Sequence, residues 1–116
     1  MNKDIQTQWV ENLEGGEYPK GKYRLKSEEG AFCCLGVLAD MYAQEHGVGW
    51  VYIDSTLLPE GTHYSSDSLL PNEVREWAGI ADEERAIHSA AGYQSLYYLN
   101  DHNDTFEPVI ERIKEL

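Results

Sequence analysis

Long apolar runs are missing from this chain, and cysteines, prolines and cations are few. Its 116 residues include two Cys, four Pro and nine Lys or Arg, against 21 Asp or Glu. No apolar stretch approaches the roughly 18 residues that a membrane helix needs. The longest, residues 32–39, is interrupted by Gly36 and ends at Asp40. The N-terminal Met1-Asn2-Lys3-Asp4 has no apolar segment behind it, so no secretory leader is expected. Cys33 and Cys34 are adjacent, and neighbouring Cα atoms about 3.8 Å apart fit disulfide geometry badly. Reduced thiols in a cytoplasm are the expectation. Four His and two Cys form no C-x-x-C or H-x-x-x-H pattern, so neither a metal nor another cofactor is expected.

The formal charge is −12. That balance excludes general nucleic-acid affinity, which needs a positive footprint to displace counterions. It serves solubility first, and it also permits a decoy role against a basic protein surface. Hydrophobic residues make up 41%, with eight Tyr and three Trp, enough apolar area for one folded domain over residues 1–116.

Periodicity then sets out the elements. Ile5, Trp9, Val10 and Leu13 lie on one stripe of a helix over residues 3–14, stopped by Gly15-Gly16. In residues 18–26, Lys20, Lys22, Arg24 and Lys26 alternate with Gly21, Tyr23 and Leu25. Period two predicts a strand with one cationic face. Residues 32–42 carry two adjacent apolar stripes and predict the most buried helix, continuing to His46 and stopped at Gly47. A strand follows at 50–53, then a stretch read mostly as loop at 55–67. Helices are expected at 71–78 and 94–100, with 81–92 open. Asp104 or Thr105 should cap a last helix ending near 115. The sum is an α+β fold, mainly helical, with four to five helices and a small antiparallel sheet of two or more short strands.

Several blocks resemble a family of small proteins encoded by tailed bacteriophages and prophages. They are Trp9-Val10-x-x-Leu13, Gly16-x-Tyr18-x-x-Gly21 and Phe32-Cys33-Cys34-Leu35-Gly36-Val37-Leu38. Leu70-Pro71-x-x-Val74-x-x-Trp77-Ala78-Gly79, Leu96-x-x-Leu99-Asn100-Asp101 and Thr105-Phe106 complete the set. The Phe-Cys-Cys-Leu-Gly-Val-Leu block is the specific one. That family often has a small residue two positions after Asn-Asp, where this chain has Asn103 and a longer loop. The resemblance implies phage origin and expression inside a bacterial host, and brings no reaction with it.

Four constellations carry candidate chemistry. Cys33 and Cys34 lie near a helix start, which favours a thiolate, and His46, His63, His88 or His102 could serve as base. Their apolar flanks favour the other reading, small buried hydrophobes. Asp40 is the lone charge in an apolar segment and is either a polar group in a binding site or a structural partner. Residues 100–104, Asn-Asp-His-Asn-Asp, fail the EF-hand pattern because Phe106 and Arg112 stand where Gly and Glu belong, leaving a polar turn. The cationic row is either edge protection or an anion site of Lys20, Lys22, Arg24 and Lys26, with Tyr18 and Tyr23 stacking and Asp40 adding a polar group. Glu17, Glu28 and Glu29 flank it and could neutralise it.

The function expected first is an accessory binding protein that antagonises a host process such as antiviral defence. Its partner would be a small anionic, nucleotide-like molecule or a defence protein. The alternatives are a hydrolase or transferase using Cys33 or Cys34, and an acidic DNA-mimic decoy.

Overall fold

A computed structural model describes residues 1–64, 70–80 and 96–116. The stretch at 81–92 that the sequence leaves open, which includes His88, and the first two residues of the helix expected at 94–100 lie outside the described residues. The elements run α1 (Lys3–Glu14), α2 (Cys34–His46), β1 (Trp50–Ile53), β2 (Thr56–Pro59), α3 (Asn72–Ala78), α4 (Leu96–Asp101) and α5 (Glu107–Lys114). The fold is α+β and mainly helical, with a two-stranded antiparallel sheet.

The first helix keeps its expected bounds. Asn2 caps it, its side chain accepting the Ile5 N–H at 3.0 Å, and Asp4 suits the positive end of the dipole. Trp9 and Leu13 are buried, with Ile5 and Val10 packed beside them. Gln6 is buried too, and its amide donates to the Ile113 carbonyl at 2.7 Å, fastening α1 to α5.

The central helix is α2, with eight of its thirteen residues buried. It packs against α1, α3, α4 and β2. Its start is at Cys34, not at residue 32. The Phe32 N–H donates to the Pro19 carbonyl at 2.7 Å and its carbonyl accepts the Gly21 N–H at 2.7 Å, so its backbone belongs to the preceding loop. Cys33 is the N-cap. At the far end Gly47 adopts φ 66°, a left-handed stop that favours glycine.

Three other expectations are corrected. Residues 18–26 do not form a strand. Only isolated bridges join Lys20 and Lys26 to Phe32, and Tyr23 at φ 70° breaks the pleat. Residues 55–67 contain a strand. Asp54 and Ser55, at φ 50° and 67°, make the tight two-residue turn that folds β2 back on β1. Neither Asp104 nor Thr105 caps α5. Phe106 holds the cap position without a side-chain bond, and the Asp104 carboxylate is engaged by Lys22.

Candidate functional site

The Phe-Cys-Cys-Leu-Gly-Val-Leu block is a packing junction. Leu25 is buried, and its carbonyl lies against the first turn of α2, accepting the Cys33 N–H at 3.2 Å. A Cβ on Gly36 would stand 1.8 Å from that carbonyl oxygen, so only glycine admits the chain there. The Cys33 sulfur accepts the Gly36 N–H at 3.4 Å, and the Cys34 thiol donates to the Leu96 carbonyl at 3.9 Å. Trp9 Nε1 donates to the Cys34 carbonyl at 2.9 Å.

Both thiols are free and fully buried. Burial pushes Cys33 up to about 12 and Cys34 well above the ordinary thiol value. For Cys33 the amide hydrogen bonds at the helix start oppose that rise without overcoming it. A thiolate is thus strongly disfavoured, the reverse of what a nucleophile needs. His46 and His102 bond the carbonyls of Tyr42 and Tyr98, and His63 bonds Glu73. In the described geometry both cysteines are packed in the core, and neither thiol meets His46, His63 or His102 in a hydrogen bond.

The loop at 18–26 is held by a residue that periodicity gave no reason to single out. Asn100 is fully buried. Its Oδ1 accepts the Cys34 N–H at 3.0 Å, and its Nδ2 donates to the Gly21 carbonyl at 3.0 Å. One side chain therefore joins the start of α2, the loop and α4. The resemblance blocks at Gly21, Cys34 and Asn100 meet at this point.

The same contact dismantles the expected cationic row. Lys20 Nζ donates to the Asn100 and Asn103 carbonyls at 2.5 and 2.6 Å, and lies 5.9 Å from the Phe106 ring centroid. Burial, then the neighbouring Lys22 charge, lowers its pKa. Lys22 pairs with Asp104 at 3.2 Å. Lys26 sits over the rings of Phe32 and Trp50, at 5.5 and 5.4 Å. The polar turn at 100–104 thus takes up positive charge, a role expected of Glu17, Glu28 and Glu29.

Tyr18 and Asp40 face inward together. Tyr18 donates to Asp40 at 2.6 Å, as do Trp50 Nε1 at 2.8 Å and Gln44 Nε2 at 2.7 Å. Burial, reinforced by Asp40, raises the Tyr18 pKa. Asp40 is a satisfied structural acceptor joining α2, β1 and the loop. It and Tyr18 are separate from the exposed cation.

What remains outward is Tyr23 and Arg24. Tyr23 is 75% exposed, and its N–H donates to Asp101 at 3.0 Å. Arg24 is exposed and has no ion-pair partner among the described residues. It lies near enough to Tyr52 to favour the phenolate, although the hydrogen bond to Glu28 dominates and raises that pKa. Tyr52 is 58% exposed and donates to Glu28 at 2.8 Å. The exposed residues of this region are thus Tyr23 and Arg24 on the loop and Tyr52 on β1, the last bonded to the Glu28 carboxylate, on a protein of charge −12.

Among the described residues no group of three His, Cys, Asp or Glu is placed to hold a metal ion, and no helix is long and apolar enough to cross a membrane. No curated protein and no solved structure matches the chain. One family model does, over residues 1–116, described as a domain of unknown function, DUF8296. With the match spanning every residue, the chain belongs to the DUF8296 family.

Proposed function

We propose that this chain is a phage-encoded accessory binding protein that acts in the cytoplasm of a bacterial host and antagonises a defence protein through the surface of Tyr23, Arg24 and Tyr52. The resemblance blocks support the phage setting. The observation that carries the binding surface is Tyr23. A bulky residue is held at φ 70° and is 75% exposed. That conformation costs an L-residue about 1–2 kcal/mol, and burial of its ring does not offset it. Tyrosine and arginine are also the residue types that anchor protein interfaces.

A protein partner fits better than a small anion. Two of the four expected cations, Lys20 and Lys22, are spent on carbonyls and on Asp104, so no row of converging charges exists for a phosphate. The alternative, a hydrolase or transferase using Cys33 or Cys34, is less well supported, because both thiols are buried away from solvent and burial raises their pKa values.

The test is phage plating on a panel of strains, each carrying one antiviral system, with and without this protein. Plating should recover at least tenfold on one strain. Arg24→Glu should abolish that recovery with a melt close to wild type, since exposed substitutions shift stability by about 0.5 kcal/mol or less. Tyr23→Gly should also abolish it while leaving the protein as stable or more so, because glycine relieves the left-handed backbone. Recovery on no strain, or full recovery with both variants, refutes the proposal.

A further inference from the structure

Outside the hairpin turn at Asp54 and Ser55, Tyr23 is the only non-glycine residue with positive φ among the described residues. A bulky residue stays in that conformation only where its surroundings hold it there. The chain is anchored on both sides of it. Before it, the Gly21 N–H donates to the Phe32 carbonyl at 2.7 Å and the Gly21 carbonyl accepts Asn100 Nδ2 at 3.0 Å. After it, Leu25 is buried and its carbonyl accepts the Cys33 N–H at 3.2 Å. These anchors fix where the exposed segment begins and ends, and leave the direction of the Lys22–Tyr23 peptide open. Turning that rigid unit over keeps both anchors, reverses its N–H and takes Tyr23 from φ 70° to the ordinary negative range. One group opposes the reversal. The Tyr23 N–H donates to Asp101 Oδ1 at 3.0 Å. A reversed peptide would turn the Lys22 carbonyl oxygen towards that carboxylate, setting two acceptors against each other.

We propose that Asp101 is a positioning residue, whose carboxylate selects the left-handed, outward setting of Tyr23 and so presents Tyr23 and Arg24 to the partner in one orientation. The proposal rests on the binding reading above and names what prepares that surface before the partner arrives. Asp101 is itself well placed. It ends α4, and the Oδ1 that holds Tyr23 also accepts Asn100 Nδ2 at 3.0 Å. Asn100 is fully buried and ties α4 to the start of α2. The hold on Tyr23 therefore runs from the core to the exposed loop through one side chain. Without it the loop divides its time between two peptide orientations, and apparent affinity falls with the fraction that is competent to bind.

The test joins amide hydrogen exchange, followed by NMR, to the plating assay. In the unaltered protein the Tyr23 amide should exchange about tenfold or more slowly than the Arg24 amide, each relative to its intrinsic rate, since the Arg24 N–H has no partner among the described residues. Asp101→Ala should remove that difference and cut plating recovery about tenfold or more, while the Gly21 and Cys34 amides keep their protection. Asp101→Asn keeps an acceptor oxygen and should preserve both the protection and the recovery. A merely structural role would expose Gly21 and Cys34 together with Tyr23. The proposal is overturned by equal exchange at Tyr23 and Arg24 in the unaltered protein, a comparison that needs no variant to fold. It is also overturned by joint loss of protection at Gly21 and Cys34 in a folded Asp101→Ala protein, or by an Asp101→Asn protein as impaired as the alanine variant. If Arg24→Glu abolishes plating recovery while Asp101→Ala keeps it, the positioning role fails and the binding reading stands. If no strain shows recovery, the binding reading fails, and the exchange rates decide whether Asp101 holds Tyr23.

Discussion

Replacing Gly36 with Ala should be among the most damaging single-methyl changes in this protein. The added Cβ would lie 1.8 Å from the Leu25 carbonyl oxygen, 2.6 Å from its carbon and 3.0 Å from its Cα. All three atoms are backbone, so no rotamer change relieves the clash. The loop must lift by about 1.6 Å to reach ordinary contact. Lifting it strains the Cys33-to-Leu25 bond, a contribution of about 1 kcal/mol. It also draws Leu25, 2% exposed, part-way out of the core, where full burial is worth about 1.5–3 kcal/mol. Overpacking adds about 1–3 kcal/mol. Alanine's higher helix propensity returns about 1 kcal/mol. The net loss should be about 3 kcal/mol, a fall of roughly 12 °C in Tm for a domain of this size. Thermal unfolding followed by circular dichroism reads it directly. Gly49→Ala is the control, because a Cβ there meets nothing within 4 Å, and its Tm should stay within about 2 °C of wild type. A Gly36→Ala protein that melts within about 2 °C of wild type would refute the junction described above.

Asn100→Ala should cost about 2–4 kcal/mol by leaving the Cys34 N–H and the Gly21 carbonyl without partners, read as a lower urea midpoint with an unchanged slope. Leu35→Ala should cost about 2–5 kcal/mol in the same assay, since Leu35 is fully buried. Cys33 sets an alkaline limb. Its folded pKa, about 12, lies above that of the unfolded thiol, so its contribution is whole below about pH 8.5 and falls as pH rises towards 12. Tyr18 acts in the same direction. Cys33→Ala should therefore flatten the loss of stability above pH 9 by up to about 1.4 kcal/mol per pH unit. Both native thiols should resist labelling at pH 8 and react at once in denaturant, and rapid native labelling would contradict their burial.

The sequence by itself determined what short-range pattern controls. The stripe of Ile5, Trp9 and Leu13 and the Gly15-Gly16 stop predict α1 with its observed bounds. Pro71 and Gly79 bracket α3 within one residue, and the doubled apolar stripe of residues 32–42 marks the central helix. These features depend on helical period and backbone chemistry, which neighbours in the chain supply. Alternation misled at residues 18–26, because period two describes spacing and says nothing of the carbonyls that Lys20 meets some eighty residues away. Residues 55–67 read as loop because Thr56–Pro59 has no alternation and ends in proline. Only pairing with β1 makes it a strand. The candidate anion site dissolved for the same reason. Which cations stay unpaired depends on long-range partners, and those left only Arg24 without one among the described residues. Asn100 and Gly36 carried no periodic signal, since a buried amide and a missing Cβ acquire meaning only when separate segments touch. Local period fixes the elements, while burial, charge pairing and the setting of Tyr23 arise where distant backbone groups compete for the same partners.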